Sequence, residues 1–87
     1  MEITKKQRLI FYPAPFKIFL LIKDNDYAST ISKKADITYS HCEKLIKLFE
    51  SFKLLKKNKE GRIKRVFLTQ KGKDFQDIIR KILELLE

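Results

Sequence analysis

The chain has 87 residues, enough for a single domain, 1–87, around one modest core. With 44% apolar and 36% charged residues it is not a disordered tail, and its longest apolar run, Ile18 to Ile22, falls far short of a membrane span of ~20 residues. The net charge of +9 calls for a polyanionic partner, with nucleic acid ahead of an anionic membrane surface.

Residues 1–8 are polar and read as a loosely held, flexible arm. Leu9 to Tyr12 is a short apolar run that suits either a strand or a first helical turn. Pro13 and Pro15 suit a helix start, where a missing N–H costs nothing. Phe16 to Lys23 then predicts a first helix, apolar nearly all round and therefore buried. Asp24-Asn25-Asp26 is a turn, and Tyr27-Ala28 a brief strand. Ser29 is the expected N-cap of a second helix from Thr30 to Ala35, and Asp36-Ile37 turns the chain again.

Thr38 caps a third helix, on which Cys42, Leu45, Ile46, Phe49 and Phe52 share one face at spacings of three and four. His41, Lys44 and Lys47 lie on the opposite face. Leu54 to Lys57 and Arg62 to Leu68 read as two strands, with Asn58 to Gly61 the turn between them. Phe67 alternates away from Val66 and Leu68, either onto the last helix or towards solvent. Thr69 caps that last helix, which runs to the C-terminus with residues 73–87 as its apolar-striped body. Three helices, a hairpin and a final helix make an α+β fold, mainly α, in the order of a winged helix-turn-helix.

Two short helices joined by a tight turn let the second lie in a DNA major groove while the first braces against the backbone. The groove-facing positions are Thr38, Tyr39, Ser40, His41, Glu43, Lys44 and Lys47. The hairpin adds Lys56, Lys57, Lys59, Arg62, Lys64 and Arg65 against the single acid Glu60. Beside a groove-bound helix, such a wing neutralises phosphates or slips an arginine into the minor groove. The bland alternatives are a solvated helical hairpin and an edge hairpin charged to block aggregation.

Ser29-Thr30-Ile31-Ser32-Lys33-Lys34-Ala35-Asp36-Ile37-Thr38-Tyr39-Ser40 resembles the second helix, turn and third-helix start of MarR-like and ArsR-like winged-helix regulators. Glu60-Gly61-Arg62, with Val66-Phe67-Leu68-Thr69-Gln70-Lys71-Gly72, is similar to their wing and the helix that follows. The resemblance covers roughly residues 14 to 75, and the length is similar to that of short winged-helix proteins of archaea and their viruses. It implies base contacts from Tyr39, Ser40, His41 and Lys44, and a backbone or minor-groove contact from Arg62. Asp36 departs from the family's turn glycine or asparagine, a position Asp can occupy in left-handed geometry. Lys53 replaces the glycine that often ends the third helix, so that helix is expected to stop differently.

On the last helix, Phe75, Ile78 or Ile79, Ile82 and Leu85 or Leu86 approximate a heptad seam, and together they carry more apolar surface than one small core can cover. A homodimer through this helix is the expectation, and the resemblance implies the same; the alternative is a helix that only closes the monomer core. The lone Cys42 forbids an internal disulfide and favours a cytoplasmic setting, with a redox switch as a minor alternative. His41 and Cys42, adjacent on a helix, point apart, so no metal, cofactor or catalytic pair is expected, and the chain does not read as an enzyme. So short a chain suggests no small-molecule effector pocket. The function expected is sequence-specific double-stranded DNA binding by a homodimeric transcriptional regulator. A non-specific architectural protein and a winged-helix module that binds protein are the alternatives.

Overall fold

The computed structural model describes residues 2–87. Its elements are α1 (Lys5–Ile10), α2 (Pro13–Leu21), β1 (Asp26–Tyr27), α3 (Ala28–Ala35), α4 (Tyr39–Ser51), β2 (Leu55–Glu60), β3 (Ile63–Leu68) and α5 (Gln70–Leu85). The fold is α+β and mainly helical, with one antiparallel three-stranded sheet in the order β1-β3-β2. No helix among the described residues is long and apolar enough to cross a membrane.

The N-terminal segment differs from the loose arm expected for residues 1–8: from Lys5 it is helical. Thr4 and Gln7 form a capping box, Thr4 Oγ1 accepting the Gln7 N–H and Gln7 Oε1 accepting the Thr4 N–H, each at 3.0 Å. Ile10, at the end of α1, is buried and ties this helix to the core. α2 begins at Pro13 rather than Phe16, and Ile18 and Phe19 carry its buried face. α3 begins at Ala28, one residue before the expected Ser29 cap, because pairing of Tyr27 with Arg65 holds Tyr27 extended as its N-cap.

Two helices stop by left-handed residues that are not glycine. α3 ends at Asp36 (φ 54°), where the Asp36 N–H reaches Lys33 O and the Ile37 N–H reaches Ser32 O. α4 begins at Thr38, whose Oγ1 accepts the His41 N–H at 3.1 Å. It ends through Lys53 (φ 61°), with Lys53 N–H to Glu50 O at 2.8 Å and Leu54 N–H to Phe49 O at 3.0 Å. That pair of bonds is a Schellman closure, so the helix keeps the geometry a glycine would take, at a steric cost of ~1–2 kcal/mol for the lysine.

The hairpin turn is tighter than expected. Glu60 pairs with Ile63, leaving only Gly61-Arg62 as the loop instead of Asn58 to Gly61. Gly61 takes φ 59° at the first loop position, the demand of a type II′ turn. Arg62 therefore sits at the tip, and Lys57 and Lys59 stand on β2. Phe67 is half-buried on the sheet face opposite the buried Val66.

Phe19 is the centre of the core: its ring lies 5.0 Å from Phe49 and 5.6 Å edge-on from Phe75. Phe19 and Phe49 are fully buried, and burying a side chain of that kind contributes ~1.5–3 kcal/mol; Phe75 is partly buried. α5 is also held by Gln76, which is buried and donates Nε2 to both Phe19 O and Ile22 O at 2.9 Å. Both carbonyls lie where α2 runs out; Phe19 O also accepts the Ile22 N–H at 3.3 Å.

Candidate nucleic-acid interface

The exposed side of α4 follows from the burial of the other. Cys42, Leu45, Ile46 and Phe49 face the core, which turns Tyr39, Ser40, His41, Lys44 and Lys47 outwards. Thr38, the N-cap, is exposed beside them. The unpaired N–H groups of the first α4 turn project at this same end.

The hairpin packs beside α4, and its cations divide into two groups. Lys59 and Arg62 are exposed near the tip. Lys57 and Lys64, on the side of the hairpin that carries buried Leu55 and Val66, are half-buried against α4; Lys59 shares that side but lies exposed beyond them, and Lys56, on the other side, is exposed as well. Lys64 Nζ lies 2.9 Å from Glu43 Oε2, and Lys57 Nζ lies 3.3 Å from Glu50 Oε1. Lys64 also sits over the Tyr39 ring, 5.9 Å from its centroid. The hydrogen bond from Lys64 holds the Glu43 carboxyl below the usual carboxylate range, helped by Lys47 and Lys57, and Glu43 in turn raises the Lys64 ammonium.

Arg65 is not an open cation either. It donates Nη2 to Tyr27 Oη at 2.8 Å and Nη1 to Asn25 Oδ1 at 3.4 Å while stacking on the Tyr27 ring. It joins β3 to the β1 turn. Glu50 stands outside the residues singled out from the sequence; acids at 43 and 50, two helical turns apart beside a basic hairpin, are the signal for it.

The chain is similar to AF1382 from Archaeoglobus fulgidus. The two share 27% sequence identity over 95% of this chain and 98% of that one, and their structures superpose with a TM-score of 0.81. No protein-family model and no curated protein matches the chain.

Around the interface, an open and mostly apolar cleft of about 800 Å³ runs between the α1–α2 corner and α4. Leu9, Tyr12 and Leu48 line it, and His41, Lys44 and Lys47 reach its edge. α1 supplies one wall of this open cleft, next to a sequence that by its shortness suggests no small-molecule effector pocket. Cys42 is fully buried, its Sγ 3.5 Å from Ala28 O, and burial pushes its thiol pKa up, with Glu43 adding to the rise. Among the described residues no group of three or more His, Cys, Asp or Glu is arranged to hold a metal ion.

The seam residues of α5 also divide. Ile79 is buried and Phe75 packs on Phe19, so these two close the monomer core. Ile78, Ile82, Leu85 and Leu86 are exposed, the last two at 84% and 78%, beyond anything their own chain covers. Ile3, Phe11 and Tyr12 add further exposed apolar surface at the N-terminal end.

Proposed function

We propose that this protein is a winged helix-turn-helix that binds double-stranded DNA, with α3 and α4 as the helix-turn-helix, β2–β3 as the wing and two copies paired through α5. It is read as a sequence-specific transcriptional regulator, akin to the MarR-like and ArsR-like proteins its sequence resembles. The observation that carries this reading is the open face of α4, bearing Tyr39, Ser40, His41, Lys44 and Lys47, set beside a wing whose Lys59 and Arg62 are free. Tyr39, Ser40 and His41 supply base-edge contacts, and Lys44 and Lys47 reach phosphates or guanine edges. Arg62, at the tip of a two-residue turn, is suited to backbone or minor-groove contact.

Lys44, Lys47, Lys59 and Arg62 are the open cations of this face, so a dimer meets about eight phosphates, and its log–log salt slope is roughly −7. Pairing is supported by the exposed Ile78, Ile82, Leu85 and Leu86, whose burial against a second copy removes an otherwise uncovered apolar stripe.

The test is selection of bound fragments from random duplex DNA, followed by anisotropy titration of the selected site and of random duplex. A specific regulator prefers its site by at least ~10³-fold, whereas equal affinity would identify an architectural protein. Lys44→Ala and Arg62→Ala each weaken binding with the fold retained, and salt-insensitive binding retained in both would sink the proposal. Leu85→Glu with Ile82→Glu gives a monomer in sedimentation; an unchanged dimer would remove α5 as the pairing element. A protein-binding module would leave the duplex unshifted at physiological salt.

A further inference from the structure

The outer half of the hairpin has no core of its own. Asn58 to Ile63 are exposed, and the last buried side chains before the tip are Leu55 and Val66. Register places Lys57 opposite Val66 and Lys64 opposite Lys59, so Lys57 and Lys64 continue the face that turns towards α4. There they meet Glu50 and Glu43, with Glu43, Lys57 and Lys64 gathered around Ile46. The two acids are separated by about 10 Å along the α4 axis. One ion pair leaves a pivot, whereas two pairs that far apart also oppose rotation.

We propose that the Glu43–Lys64 and Glu50–Lys57 pairs form a two-point clamp that sets the angle of the wing to α4, making Lys57 and Lys64 positioning residues rather than phosphate contacts. This rests on the DNA-binding reading. Glu43 lies beside the groove-facing residues, where a bare carboxylate repels a polyanion. Lys64 neutralises it, and moving Lys64 to a phosphate would strand that charge. Contact with the DNA from the wing then falls to Lys59 and Arg62, the exposed cations nearest the tip, which have no acidic partner among the ion pairs of the described residues.

The test compares Lys64→Glu, the pair swap Glu43→Lys/Lys64→Glu, and the charge-matched control Glu60→Lys/Lys64→Glu in the full chain. Each is followed by amide hydrogen exchange of the hairpin and by anisotropy with a fluorescein-labelled random-sequence duplex. Lys64→Glu is expected to speed exchange of the hairpin amides severalfold and to weaken binding. The pair swap restores both, and the control, with the same net charge but no pair, restores neither fully. Equal recovery in the two double variants, or no recovery in either, overturns the clamp. Hairpin exchange that none of the variants alters also overturns it. A parent chain that binds no duplex defeats the DNA reading, and the exchange measurements then decide the clamp by themselves. The corresponding swap Glu50→Lys/Lys57→Glu is expected to behave in the same way.

Discussion

Gly72→Ala is expected to destabilise the fold although it places a better helix former within α5. A Cβ built at Gly72 falls 2.1 Å from Leu54 O and 3.1 Å from Leu54 C, both backbone atoms with no rotamer by which to escape. Ordinary contact begins near 3.4 Å, so α5 and the α4–β2 joint must part by more than an ångström. Leu54 O accepts the Thr69 N–H at 3.1 Å, and Thr69 Oγ1, which caps α5 through the Gly72 N–H, lies 3.1 Å from the same oxygen. Separation also strains the two Gln76 bonds to α2 and the Phe75–Phe19 contact. Overpacking costs ~1–3 kcal/mol and each weakened hydrogen bond about 1 kcal/mol, against a helix-propensity gain of ~1 kcal/mol. The net loss is ~2–4 kcal/mol, which for a domain of this size lowers Tm by roughly 10–25 °C. Thermal and urea unfolding followed by circular dichroism measure it. A variant as stable as the parent, or more so, would show that Leu54 and α5 are not in the close contact that this account requires.

Lys53→Gly is expected to act in the other direction. It relieves a left-handed lysine while keeping the Schellman bonds, for a gain of about 0.5–1 kcal/mol after the added unfolded-state entropy of glycine, and a lower urea midpoint would contradict it. Cys42 is expected to resist thiol reagents until the chain unfolds, so fast labelling of the native protein would count against its burial. Because its folded pKa lies above the ordinary 9.0, the native state holds the proton more tightly than the unfolded chain; its contribution to stability is full below pH 9.0 and lost as pH rises through the folded value. Cys42→Ala should flatten that alkaline fall.

Much of the fold was legible from short-range pattern. The Thr38 and Thr69 caps each bond an N–H three residues on, and the core face of α4 follows from its spacing alone. The Thr4–Gln7 capping box is equally local, but the polar composition of the segment reads as an arm. The tight Gly61-Arg62 turn is less legible because Asn58 and Gly61 both favour turns, and pairing across the sheet settles which one forms it.

Periodicity and capping depend on residues within about one helical turn, so they survive in a linear string. The availability of a cation does not. Lys57, Lys59, Lys64 and Arg62 look alike in sequence, and only the approach of α4 ties two of them to acids. The division of α5 into a half spent on Phe19 and an uncovered half is likewise set between segments far apart in the chain, as is the demand for glycine at 72, made by a carbonyl at 54. Such contacts arise when packing brings distant elements together, and no neighbouring residue records them.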